Sequence, residues 1–405
     1  MMAALLVACG PAGTAPADSP FPLDQTFQLH SDSGASKVIY LDFDGYTTTG
    51  TSWNNYTGGA AIVTPAFSLD DSSSFSDDEL ARIQYIWQRV AEDYIPFNVD
   101  VTTQDPGPGG ITKSSTHDTL YGIRVCIGGN SSWYSSTAIG GVAFMYGFGP
   151  SSDTPCFVFS DNLGMSDHGN EKYVAEAISH EAGHTLGLTH DGVTGGTVYY
   201  AGQGSGPTGW APIEGTGYYR ELTQWSKGEY AGANNQQDDL AVIAGSTGNF
   251  GYRADDHGGT IASAAALAVT GGRNVSGSGI IERSTDVDFF SFTTAQGLVS
   301  LSIEPAPRGP NLDILATLYD SSGAVVATSN PIGELRASFE LSLLAGTYYL
   351  SVDGTGEGDP LVTGYTDYGS LGQYFISGTI AVPEPCSAML LVLGAMAVMR
   401  RRRRL

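Results

Sequence analysis

The chain has 405 residues, 41% of them apolar, and 54 glycines. That is more than one core usually holds, so two domains rich in turns and short strands are expected. Acidic residues outnumber basic ones 42 to 18, for a net charge of −24. This excludes nucleic acid as a partner, because phosphate neutralisation needs clustered cations and the one arginine cluster, Arg400 to Arg404, closes the C-terminus.

Residues 1–17 begin with a short apolar run and end in Ala15-Pro16-Ala17, a small-x-small pattern expected of an export signal. The positive start of such a signal is missing, and Leu6 to Cys9 also fits a lipoprotein box. Residues 18–35 are polar and read as a linker or pro-segment. A buried strand is expected at KVIYLDFDG (37–45), then a helix at SDDELARIQYIWQRVAEDY. Ser76 and Glu79 make its capping box, Leu80, Ile83, Trp87, Val90 and Tyr94 share one face, and Pro96 stops it. FNVDVTT, YGIRVCIGG, GGVAFMYGF and PCFVFSD read as strands, 171–186 as a second helix and about 236–244 as a short third. Strands with intervening helices make residues 36–250 an α/β (α+β) domain.

From 251 to 381 helical periodicity disappears. Runs such as VDFFSFTT, LVSLSIEP and GTYYLSVDG, divided by Gly, Asp and Asn turns, argue for an all-β sandwich. Asp286, Asp288, Asp313 and Asp353 offer oxygens to Ca²⁺, with turn capping as the plainer role. Cys126 and Cys156 lie in strand-like runs and are compatible with a disulfide or with two buried thiols.

The motif with the most chemistry is SHEAGHTLGLTHDG (179–192), which holds three of only seven histidines. On a helix, residues four apart are nearly eclipsed, so His180 and His184 face the same way, as two ligands of one metal must. Gly187 can take the positive φ that ends the helix and turns His190 back as a third nitrogen ligand. Three neutral imidazoles and a water form the open site of catalytic Zn²⁺. Glu181, on the adjoining face, can reach that water as general base. Chance co-occurrence of the five fixed positions is on the order of 10⁻⁵.

This His-Glu-x-x-His-x-x-Gly-x-x-His pattern resembles the signature of the metzincin clan of zinc metallopeptidases, over roughly residues 36–250. Asp191 after the third histidine is similar to the reprolysin-like members, where an acid supports the structure behind the site. The resemblance implies a metzincin-like catalytic domain with a zinc-binding active-site helix. It also implies an edge strand, best matched by GGVAFMYGF, that takes peptide in extended form. The clan has a methionine turn beneath the zinc; here no methionine lies between His190 and Met389, and Glu214 in APIEG aligns with it. Tyr218 and Tyr219 are matched to the tyrosine that follows that turn in some members, with packing as the favoured role.

Residues 251–381 resemble the pre-peptidase C-terminal type of β-sandwich, through DVDFFSF, NLDILATLYDSSG and AGTYYLSVDG. Residues 382–405 combine Pro383-Glu384-Pro385, an apolar stretch and five arginines. This order resembles the PEP-CTERM sorting signal of Gram-negative bacteria, which implies exosortase-type processing machinery and a membrane contact made only through the unprocessed tail. The resemblances together imply an exported, extracellular or cell-surface zinc endopeptidase, anchored transiently in the inner membrane and acting on protein or peptide. The alternatives are a catalytically weak or inactive surface or matrix binding protein on the same scaffold, which Glu214 favours and Glu181 opposes, and an enzyme that processes a single partner.

Overall fold

The structure is a computed structural model that describes residues 2–6, 19–72, 74–164, 168–245 and 248–382. The arginine-rich tail, Cys9 and Cys386 lie outside the described residues. No helix among the described residues is long and apolar enough to cross a membrane.

The N-terminal region is mixed α/β. Six strands form its sheet: β1 (Met2–Leu6), β2 (Lys37–Asp42), β3 (Asp100–Thr102), β4 (Tyr121–Ile127), β5 (Ile139–Phe144) and β6 (Cys156–Val158). They lie in the order β1-β5-β6-β4-β2-β3. The pairs β6/β4, β4/β2 and β2/β3 are parallel, whereas β5 runs antiparallel to both β6 and β1. Every residue of β2 and β4 is buried. Both faces of the parallel strands are covered, so their sequences read as near-continuous apolar runs. One face meets α1 (Asp77–Tyr94) and α2 (Glu171–Leu186) through Ile39, Leu41, Ile123 and Val125; the other packs Cys126 and Phe157 around Trp53.

Helix boundaries follow from local chemistry. Glu79 N–H donates to Ser76 Oγ at 3.3 Å and Ser76 N–H donates to Glu79 Oε2 at 2.7 Å, closing the expected capping box of α1. The third helix, α3 (Asp239–Ala244), starts later than expected because Asp238, not Gln236, caps it, accepting from Ala241 N–H at 2.9 Å. Residues 19–35 pack against the α/β region: Thr26 is buried and accepts from Gln84 Nε2 at 2.9 Å.

The cysteine alternatives resolve to two buried free thiols. In the β4/β6 register Cys126 lies beside Phe157 and Cys156 beside Val125. Their side chains therefore leave opposite faces of the sheet, into separate apolar clusters, and cannot be bridged.

The C-terminal region is all β: β7 (Asn274–Ile281), β8 (Val287–Thr294), β9 (Gly297–Pro305), β10 (Ile314–Tyr319), β11 (Val325–Ser329), β12 (Ala337–Leu343), β13 (Gly346–Gly354) and β14 (Gly372–Thr379). One sheet is ordered β8-β13-β10-β11 and the other β7-β14-β9-β12, each extended beside its first strand by a short segment, 265–266 and 268–270 respectively. Alternate residues of β8 and β14 turn inward, as a sandwich requires. The two regions share one core: the largest apolar cluster includes Ile178 and Ile243 of the first and Leu312 and Leu371 of the second.

Candidate metal centre

Helix α2 carries His180 and His184 one turn apart, with ring centroids 4.5 Å from each other. The helix ends at Gly187, whose φ of 101° is open to glycine at no steric cost. A Cβ there would also stand 2.3 Å from the Tyr146 ring. Gly187 N–H donates to His184 O at 3.0 Å, and the chain then reverses. His190 comes back with its ring 4.8 Å from His184 and 5.2 Å from His180. The three imidazoles each place a ligand atom within 4.8 Å of the others.

Their hydrogen bonds orient them for coordination. His180 Nδ1 faces Ile213 O and His184 Nδ1 faces Leu188 O, both at 2.9 Å. A carbonyl only accepts, so Nδ1 carries the proton in each ring and Nε2 is left as a lone pair. His180 Nε2 is buried with no hydrogen-bond partner among the described residues. His184 Nε2 stands 3.0 Å from His190 Nε2, an approach that a shared cation stabilises. Burial, with neighbouring imidazoles, lowers His180 well below its usual pKa; His184 falls to about 3 and His190 to about 4, mainly through burial. All three are neutral at pH 7. The triad could hold a metal ion such as zinc.

Glu181 is fully buried, and neither carboxyl oxygen has a hydrogen-bond partner among the described residues. Burial raises its pKa well above the ordinary carboxyl range. It lies against β5, where a Cβ on Gly141 would be 2.6 Å from Glu181 Cγ. The outer edge of β5, expected to line a cleft, is paired with β1, which runs antiparallel with Leu5 opposite Gly141.

Glu214 lies beneath the histidines. Its Oε2 is 3.2 Å from His184 Nδ1 and 3.7 Å from His180 Nδ1, but those protons already point at carbonyls. Neither Glu214 oxygen has a hydrogen bond among the described residues. Burial raises its pKa well above normal, reinforced by Asp239, Asp191 and Glu181. The contact is therefore between neutral groups and is no ion pair. Gly183 makes room for it, since a Cβ there would be 2.2 Å from Glu214 Oε1. Asp191 N–H donates to Glu214 O at 2.9 Å, tying the 212–215 turn to the chain after His190.

Two site neighbours escape sequence reasoning. Tyr199 packs its ring 4.4 Å from His190, brought there by an irregular excursion that no spacing rule reads. Gly141 is a close-approach glycine indistinguishable in the sequence from the chain's other 53. Tyr218 is buried with its ring 4.7 Å from Tyr173, a packing role, and Tyr219 is partly exposed. The remaining histidines stay apart from the triad: His30 bonds Asp100 at 2.6 Å, His168 bonds Asp161 O, His257 bonds Ser278 O, and His117 is exposed.

Of the four aspartates considered for Ca²⁺, the structure groups only Asp286 and Asp288, and adds Asp255. Asp313 instead accepts from Tyr365 Oη at 2.7 Å, and Asp353 lies outside the group. Asp288 is fully buried; its Oδ2 accepts from Tyr374 Oη at 2.6 Å while Oδ1 has no partner among the described residues.

No family model matches the chain, and neither does any curated protein. Among solved structures, 31% of the chain aligns with 97% of the pre-peptidase C-terminal domain of a collagenase from Bacillus anthracis, at 15% identity and a TM-score of 0.20. Another 29% alignment covers 95% of PliG, a periplasmic inhibitor of g-type lysozyme from Aeromonas hydrophila, at 10% identity and a TM-score of 0.21. A β-glucosidase from Paenibacillus barengoltzii aligns over 31% of this chain and 12% of its own, at 13% identity and a TM-score of 0.16.

Proposed function

We propose that the chain is an exported bacterial zinc endopeptidase of metzincin type. Residues 36–250 form its peptidase domain, 251–381 a pre-peptidase C-terminal-like sandwich, and 382–405 a sorting tail for exosortase-type machinery. One observation carries the reading: three neutral imidazoles converge, His180 and His184 through Nε2 lone pairs, with a buried carboxyl that has no partner among the described residues next to the first of them. His180, His184 and His190 fit Zn²⁺ as its ligands; Glu181 is the general base. When bound, the ion supplies Lewis-acid polarisation of the scissile carbonyl and acidifies water.

The protein groups do the remaining work. Glu181, which burial alone would keep protonated and the charge of a bound cation would ionise, accepts the proton of the attacking water and passes it to the leaving amine, a transfer worth roughly 10²–10⁴-fold in rate. The carbonyls of Ile213 and Leu188 hold two imidazoles in the ligating tautomer. Once residues 1–17 are removed as an export signal, extended peptide substrate takes the place of β1 on β5 as an antiparallel strand, a mode supported by the pairing β1 itself makes there. We further propose that Asp255, Asp286 and Asp288 bind Ca²⁺, supported by the orphaned Asp288 Oδ1. The location is extracellular or at the cell surface, with transient inner-membrane anchoring through the tail.

Glu214 favours a second reading, a catalytically weak or inactive binding protein, because an unpaired buried carboxyl replaces an apolar thioether under the ligands. Metal content and casein hydrolysis of the wild type and Glu181→Ala separate the two. About one zinc per chain, with hydrolysis abolished by chelator and by the substitution, is the expected result. Zinc without hydrolysis selects the second reading, and no zinc rejects the peptidase reading.

A further inference from the structure

The elements that hold the histidine-bearing helix lead out of the α/β region and into the sandwich. Ser179, immediately before His180, is fully buried and donates its Oγ–H to Asp93 Oδ2 at 2.5 Å. Its backbone carbonyl accepts from Tyr94 Oη at 3.0 Å. The last turn of α1 thus grips α2 at the residue before the first histidine. Asp93 is itself buried, and an unshared oxygen there would be costly. Its second oxygen, Oδ1, accepts from Asn311 Nδ2 at 2.9 Å. Asn311 belongs to the sandwich, in the loop between β9 and β10, and only 4% of it is exposed.

The same loop makes a second link. Gly309, at φ 57°, lies so close to Arg89 that a Cβ would stand 2.9 Å from its Cγ. Arg89 in turn donates to Glu176 of α2 at 2.7 Å. Around these contacts the interface is buried and hydrogen-bonded. Glu92 Oε1 accepts from Gln373 N–H at 2.9 Å and Oε2 from Gln373 Nε2 at 2.8 Å. Gln224 Nε2 donates to Asn311 O at 2.5 Å, and Tyr368 Oη donates to Asp238 Oδ1 at 2.7 Å. A module made to be detached would leave these groups unpaired in its partner.

We infer that Asn311 is a positioning residue for the metal centre, acting through Asp93 and Ser179, so that the sandwich is an integral part of the site. The step from helix position to zinc affinity rests on the reading that His180, His184 and His190 bind zinc. Removing the Asn311 amide leaves Asp93 Oδ1 orphaned, and Asp93 turns toward other donors. Ser179 then loses its fixed acceptor, and the helix segment carrying His180 gains freedom.

The test uses the full chain in four forms: wild type, Asn311→Ala, the exchange Asp93→Asn with Asn311→Asp, and Leu343→Ala. Leu343 is buried at the end of β12 that pairs with the start of β9, the end remote from the Asn311 loop, so its truncation destabilises the sandwich without touching the bridge. The exchange keeps an Asn–Asp hydrogen bond with the roles reversed and still offers Ser179 an acceptor. Two readouts are taken: amide hydrogen exchange along 179–184 in metal-free protein, and Zn²⁺ affinity by competition with a chelator. Asn311→Ala is expected to speed exchange in that segment at least about fivefold and to weaken Zn²⁺ binding about tenfold. The exchange variant should recover both, and Leu343→Ala should change neither. Equal effects from Asn311→Ala and Leu343→Ala, or failure of the exchange variant to recover, would overturn the inference. A wild type that takes up no zinc would defeat the peptidase reading alone, because the amide-exchange comparison still decides whether the bridge holds the helix.

Discussion

Gly141→Ala is a one-methyl probe of the proposed base. The added Cβ would stand 2.6 Å from Glu181 Cγ, 2.7 Å from Oε1 and 2.9 Å from Cδ, whereas ordinary contact begins at 3.4 Å. Glu181 must therefore retreat by about 0.8 Å, since β5 is held between two paired neighbours. A misplacement near 1 Å costs roughly 10²-fold in rate, or about 2.7 kcal/mol of transition-state stabilisation. The three atoms nearest the added methyl all belong to Glu181 and none to a histidine, so Zn²⁺ content should be unchanged. The assay is kcat and KM on casein-derived peptides with zinc analysis, in the wild-type and Glu181→Gln backgrounds. The methyl should reduce kcat about 100-fold in the first and add little in the second, because both changes disable the same group. Wild-type kcat in Gly141→Ala would refute the placement of Glu181 as base.

Three further outcomes follow from the buried charges. Glu214→Met replaces an unpaired buried carboxyl by a thioether of similar size; it should stabilise the metal-free chain by roughly 1–3 kcal/mol in urea denaturation, and a loss of stability would mean that the carboxyl's contact with the imidazoles is favourable. Ca²⁺ should stabilise the chain by about 2.7 kcal/mol at one hundred times its Kd, seen as a Tm rise that Asp286→Asn abolishes. Glu92 has its pKa pushed from 4.5 up to about 8, chiefly by burial, against the pull of Gln373. Folded protein thus holds a proton that the unfolded chain releases, so the Glu92 contribution is full below pH 4.5 and is lost as pH rises toward 8. Urea midpoints across that window should fall less steeply in Glu92→Gln than in the wild type, and equal slopes would contradict the assignment.

The local signals were legible because short-range chemistry writes them. Ser76 and Glu79 cap α1 as their spacing demands, and α2 spans 171–186 with Gly187 ending it at positive φ. The sandwich strands β8, β9, β10, β13 and β14 coincide with alternating runs. The exposed β11 offers only VVATS and did not stand out, and β12 was passed over although Phe339, Leu341 and Leu343 alternate along it. That Asp353 and Asp313 lie outside the acidic group was not legible for a different reason: a carboxylate's neighbours depend on strand register, which spacing within one strand does not report.

By itself, the sequence determined that His180 and His184 share a helix face and that a glycine turn follows, since both depend on interactions within a few residues. That His190 returns as a third ligand was expected from the turn at Gly187, but the 3.0 Å approach to His184 is set by tertiary packing. Only the tertiary structure decided that Gly141 and Tyr199 border the triad, that Glu214 stays unpaired beneath it, and that Asn311 backs the helix from another domain. Apart from Tyr199 against His190, these contacts span tens to hundreds of residues. They exist because burying a shared core and pairing its polar groups brings distant segments together, and no local pattern encodes that requirement.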